Sequence, residues 1–126
     1  YTIRQAETLY ERVNNGSPIP VFLGLDVGHA CCHHYPVDSE EDRDLYAWVR
    51  KFAPISPVIH VHQTDRNASR HWPFTTEYNA QGIVEPARLI EAIEESGAQE
   101  VLLVLEIFHG YGVHEQQVLS ELKTSV

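Results

Sequence analysis

The chain has 126 residues, of which 18 are acidic and 9 basic, giving a formal charge of -9 with its eight histidines counted neutral. That length suits one domain, and 43% hydrophobic residues with 10% aromatics supply a core. The acidic balance argues against nucleic acid as the main partner. The apolar runs are too short for a transmembrane helix, and no basic-then-apolar signal peptide is present. The only cysteines, Cys31 and Cys32, are adjacent, so no structural disulfide is expected and a reducing cytoplasm is the expected location.

Ile3, Ala6, Tyr10 and Val13 recur at helical spacing until Asn14-Asn15-Gly16-Ser17 ends the pattern. Val21 to Val27 then reads as a strand apolar on both faces, closed by Gly28. Asp38 and Ser39 can cap a helix whose first turn is acidic and whose apolar stripe is Leu45, Trp48, Val49 and Phe52. Pro54 and Pro57 break it, and Val58 to His62 follows as a second strand. The polar stretch from Gln63 to Gly82 predicts a long irregular loop, with Trp72-Pro73-Phe74 reading as a mobile lid or as an anchor for that loop, the lid being preferred. Pro86 opens a helix with Leu89, Ile90 and Ile93 inside and Gly97 as its stop. Val101 to Phe108, the most apolar run, predicts a fully buried third strand. A last helix carries Val118, Leu119 and Leu122.

Strands alternating with helices predict an α/β fold with a parallel sheet and right-handed crossovers. Three such strands alone would leave two open apolar edges, which soluble proteins avoid. The expected architecture is therefore a partial (β/α)8 TIM barrel, residues 1–126 forming its C-terminal part. The absence of methionine, with Tyr1 first, fits a piece of a longer protein. Open edges also make a homo-oligomer an expected partner state.

Active sites of such barrels lie where strands end and βα loops begin. Those places hold Asp26 and His29, then His60 and His62, then Glu106. Asp, His and Glu together are the donors favoured by Mn2+, Mg2+, Co2+ or Zn2+, so one divalent metal is the expected cofactor. A charged Glu106 inside Leu-Val-Leu-Glu-Ile-Phe is costly to bury unless it pairs or binds a cation. His60 and His62, two apart on a strand, share a face; His60 is a candidate substrate contact. Asp26 also reads as a cap for the turn that follows it. Cys31-Cys32-His33-His34 lacks the second half of a zinc site and is expected to shape the pocket rim.

Gly24-Leu25-Asp26-Val27-Gly28-His29 resembles the "LDxGH" strand end of the xylose-isomerase-like sugar isomerase/epimerase barrels, which include ketose 3-epimerases. His60-Val61-His62 with Asp65-Arg66-Asn67 looks like that family's next strand and loop, and Leu105-Glu106-Ile107-Phe108 is similar to its last-strand glutamate. The resemblance covers essentially the whole chain and aligns with the family's sixth to eighth strands. It implies a metal held by Glu, Asp, His and Glu, of which Asp26, His62 and Glu106 would be the last three. The first would precede Tyr1, so the chain alone is expected to be inactive. It also implies substrate contacts from His29 and from an arginine after the metal histidine, for which Arg66 is the nearest candidate although its offset is short.

The reaction implied is proton transfer next to a carbonyl on a ketose or short ketose phosphate, through an enediolate, with Glu106 as the acid/base. Arg66, Arg70 and His71, with the His109-Gly110-Tyr111-Gly112 loop, are the candidate phosphate contacts. The rivals are a metal-dependent phosphodiesterase resembling the abasic-site endonucleases, which the acidic charge disfavours, and a non-catalytic sugar- or metal-binding fragment.

Overall fold

The structure, a computed structural model, describes residues 2–32 and 37–126. In chain order its elements are α1 (Ile3–Asn14), β1 (Gly24–Asp26), a one-turn α2 (Val27–Ala30), a 3-10 turn (Glu40–Arg43), α3 (Leu45–Phe52), a second 3-10 turn (Ala53–Ile55), β2 (Val58–Val61), a one-turn α4 (Thr76–Asn79), α5 (Pro86–Ser96), β3 (Leu102–Leu105) and α6 (Glu115–Thr124). The strands form one parallel sheet in the order β1-β2-β3. No described helix is long and apolar enough to cross a membrane.

In-register parallel strands point matched residues to one side, and alternate residues to the other. Leu25 pairs with Ile59 and Ile59 with Leu103, placing these three on one face. Ile59 and the next residue on that face, Val61, are buried in a core that includes Val49 and Phe52 of α3 and Leu89 and Ala92 of α5. Asp26, His60 and Val104 are matched on the opposite face. The periodicity that buries the apolar side therefore gathers the polar strand ends on the other.

Both outer strands are shorter and more exposed than the apolar runs predict. Phe22 is 55% exposed, and Leu102 and Leu103 are 61% and 38% exposed. The cause is the sheet itself. Strand burial comes from neighbours on each side, and β1 and β3 each pair with β2 alone among the described residues.

The helix expected to start at Asp38 is instead broken into the Glu40–Arg43 turn and α3. Local side-chain to backbone hydrogen bonds outcompete helix continuation there. The Asp42 carboxylate accepts from the backbone N–H groups of Ile3 at 2.7 Å, Asp38 at 2.8 Å and Ser39 at 3.0 Å. Asp44 then restarts the helix by accepting from the N–H of Tyr46 at 3.0 Å. Burial would raise Asp42, but those three donors hold its carboxyl below the usual range.

The Gln63–Gly82 segment is also more ordered than a polar loop suggests. Gln63 and Trp72 form an antiparallel bridge with mutual hydrogen bonds of 2.9 and 3.0 Å, folding the segment back on itself. Trp72 stacks on Tyr78 at 5.1 Å, Pro73 and Phe74 are buried, and the Phe74 N–H donates to Ser125 Oγ at 2.9 Å. Trp72-Pro73-Phe74 is therefore an anchor, the second of its two sequence readings, and not the preferred lid. The buried Gln63 amide ties both ends of the segment, donating to Asn79 Oδ1 and to the carbonyl of Val84, while its oxygen accepts from Thr64 and Val84 N–H. A β-carbon on Gly82 would collide with that amide. Gly82→Ala is expected to lower stability by about 1–3 kcal/mol through overpacking, read as a lower urea midpoint.

Candidate metal centre

Asp26 ends β1 and caps α2, as the cap reading of it expects. Its Oδ1 accepts from the N–H groups of Gly28 at 2.8 Å and His29 at 3.0 Å. Its Oδ2 lies 3.9 Å from His29 Nε2 and makes no closer bond with a described side chain. A cap normally satisfies a helix end; here it also fixes the carboxylate at the mouth of the sheet.

His62 follows β2 directly, and its side chain is fully buried. Nε2 lies 4.0 Å from Asp26 Oδ1 and 3.0 Å from Ser69 Oγ, while Nδ1 has no hydrogen-bond partner among the described residues. Burial first and the neighbouring His71 second push this imidazole down to about 4, against the opposing pull of Glu106. The ring is therefore neutral at pH 7, the form that ligates metals. Gly28 makes room for it, since a β-carbon at Gly28 would overlap the His62 ring.

Glu106 follows β3 and is partly buried, its N–H donating to the Val61 carbonyl at 3.1 Å. Its Oε2 lies 3.1 Å from His60 Nδ1 and 3.7 Å from His71 Nδ1. His60 thus meets the carboxylate while 40% of its own side chain stays exposed.

One candidate cation site is found among the described residues, and it joins these elements. Single donor atoms of Asp26, His62, His71 and Glu106 all lie within 4.8 Å of one another. Donors on opposite sides of one first-row cation sit about 4.2 Å apart, close to the spacing found here. The chemistry fits as well. A buried, neutral imidazole short of one partner and facing two carboxylates is a donor set that a divalent cation satisfies.

His71 escaped the sequence reading, which placed it only among phosphate contacts. Its backbone has φ 55°, in the left-handed region, a conformation costing a non-glycine residue about 1–2 kcal/mol. The Gln63–Trp72 bridge turns the segment back and brings His71 beside His62. No hydrophobic period marks such a return; the compact Ser69-Arg70-His71 run before the bridging Trp72 is its only trace in sequence.

The other candidates are spread around the site. His29 is exposed beside Asp26. Arg66 is exposed and lines a separate groove with Arg43, Tyr46, Gly82 and Arg88. Arg70 is tied to Asp65 at 3.1 Å, and His109 to Glu121 at 2.9 Å. Cys31 and Cys32 are free, buried thiols donating weakly to the Gly28 carbonyl, and burial pushes Cys31 up to about 12. They are protonated thiols at neutral pH rather than thiolate ligands. His33 and His34 lie outside the described residues.

No protein-family profile matches the chain. Over 127 residues it is 30% identical to the D-erythrulose 1-phosphate 3-epimerase of Brucella abortus (strain 2308), a match covering 99% of this chain and 40% of that protein. It superimposes with a TM-score of 0.78 and 28% identity on the crystal structure of a Rhodospirillum rubrum ATCC 11170 protein assigned as a xylose isomerase, over 95% of this chain and 38% of that one. Both matches are consistent with a xylose-isomerase-like epimerase family, over a fragment of each relative. It spans about two fifths of the length of each relative. The family likeness extends to the fold, an α/β unit whose parallel sheet matches part of a TIM barrel.

Because the folded-state pKa of His62 is depressed from 6.5 to about 4, the unfolded chain takes up a proton first as the pH falls. The stabilisation, at most about 3 kcal/mol, is complete above pH 6.5 and is lost as the pH drops toward 4. With chelator present, the urea midpoint is expected to fall across that window, and His62→Gln is expected to flatten the dependence.

Proposed function

We propose that residues 1–126 form the C-terminal part of a (β/α)8 sugar isomerase/epimerase, with β1, β2 and β3 as its sixth, seventh and eighth strands. In this reading the protein interconverts ketoses or short ketose phosphates by moving a proton on the carbon beside the carbonyl. One observation carries the proposal: an aspartate, an imidazole and a glutamate from the ends of three consecutive parallel strands converge on one point. The 3-epimerase name of the Brucella relative supports the reaction class.

Asp26, His62 and Glu106 would hold one divalent cation (Mn2+, Mg2+, Co2+ or Zn2+). When bound, it supplies electrostatic stabilisation for the charge that develops on the substrate oxygens as the proton leaves. Glu106 is the acid/base. Its Oε2 lies 3.1 Å from His60 Nδ1. His60 and His29, both partly exposed at the rim of the cluster, are placed to contact substrate hydroxyls. The partner carboxylate on the opposite face of the substrate is assigned to a strand outside residues 1–126, so turnover belongs to the full-length protein. One donor cluster among the described residues and a charge of -9 favour a single cation and a small substrate over a multi-metal phosphodiesterase.

Arg66 is the proposed phosphate contact; it lines a groove apart from the four donors, so the reading requires the phosphate end of the substrate to extend into that groove. Arg43, Arg70 and Arg88 are engaged by Glu40, Asp65 and Glu85, whereas Arg66 has no ion pair among the described residues.

In the full-length protein, Glu106→Gln is expected to lower kcat by about 10²–10⁴-fold and to stop solvent deuterium entering the carbon beside the carbonyl. Retained exchange would refute the role. Arg66→Gln is expected to raise KM for a ketose 1-phosphate while leaving KM for the free ketose unchanged. Equal effects on both substrates would remove the phosphate contact.

A further inference from the structure

Four residues gather at the candidate metal centre, and the geometry separates them by role. The ring of His71 stacks on that of His62, with centroids 4.0 Å apart and planes 29° from parallel. A ring nitrogen directs its lone pair within the ring plane. Planes so arranged meet only roughly 8 Å from the rings, whereas a cation bound about 2.1 Å from a ring nitrogen lies about 3 Å from the ring centre. As they lie, the two imidazoles cannot address the same ion.

What His71 does touch is the pair of ligands. One face of its ring covers His62, and the other packs on Phe108 at 4.3 Å with planes 18° apart. At the ring edge, Nδ1 is 3.0 Å from the backbone carbonyl of Glu106, in place to donate to it. Nε2 is 3.3 Å from Ser69 Oγ, the hydroxyl that also lies 3.0 Å from His62 Nε2. The His71 backbone carbonyl accepts from the Phe108 N–H at 3.0 Å, extending the hydrogen bonding of β3 beyond Glu106. The left-handed backbone at φ 55° accompanies this inward placement of the ring.

We propose that His71 is a positioning residue that locks His62 and Glu106 in the relative orientation a cation requires, without ligating the cation itself. The inference rests on the metal-centre reading above and adds a residue from the loop after β2 to it. Groups that hold ligands in place typically change metal affinity by 10–100-fold when removed.

The test is Co2+ titration of the full-length protein by calorimetry, with the visible cobalt spectrum and the urea midpoint recorded for each variant. His71→Asn keeps a residue tolerant of the left-handed backbone, and His71→Gly keeps the backbone while opening a ring-sized gap. Both are expected to bind Co2+ 10–100-fold more weakly, with unchanged cobalt band positions and little change in urea midpoint. Added imidazole, held below the level that complexes free Co2+, is expected to restore affinity in His71→Gly without shifting the cobalt bands. Unchanged affinity in both variants overturns the proposal. Cobalt bands shifted as by loss of a nitrogen ligand also overturn it, making His71 a ligand. Asp26→Asn and Glu106→Gln are the separate control: if they bind Co2+ as tightly as the parent protein, the metal centre itself is refuted. If only they lose binding, the centre stands and the role of His71 falls.

Discussion

Everything at this site depends on the parity of a parallel sheet. Strands in register send alternate residues to opposite faces, so Leu25, Ile59 and Leu103 lie on one side and Asp26, His60 and Val104 on the other. One further step along β2 and β3 brings His62 and Glu106 to that second face, at the ends where the backbone leaves the sheet. A slip of one residue in either pairing would turn an ionisable side chain toward the apolar core. The register that builds the core and the register that builds the donor cluster are the same constraint.

The cluster is then finished by close approaches that larger residues would prevent. Gly28 lets the His62 ring in beside the Asp26 cap, and Gly82 does the same for the Gln63 amide that pins the long segment. Asp26 serves two ends at once, since the N–H groups it caps hold its carboxylate in place. The segment after β2 contributes Ser69 and His71 because a single bridge, Gln63 to Trp72, reverses its course over the strand ends. Backbone hydrogen bonds of the loop, rather than apolar packing, decide where those side chains fall.

This division explains what could be read from the sequence. Asp26, His62 and Glu106 stand out because each interrupts or ends an apolar run, and a polar residue there needs a physical reason. The alternation of strand and helix was legible on the same grounds. Strand length and burial were not, because they depend on neighbours: Leu102 and Leu103 belong to the most apolar run, yet they lie on the unpaired side of the sheet. The single helix expected from Asp38 onward failed where Asp42 turned its carboxylate to the start of α1. Trp72 and Phe74 carried no mark that would separate an anchor from a lid. His71 was invisible as a member of the cluster because its position follows from a turn rather than from any period.

The adjacent thiols acquire a use from their placement. Cys31 and Cys32 sit almost wholly out of solvent directly under Gly28, the residue that makes space for the His62 ring. A thiol that is both shielded and protonated does not meet an alkylating reagent unless the floor of the pocket parts. The molecule therefore carries an intrinsic gauge, in which the rate of cysteine modification reads how often the ground beneath the imidazole breathes.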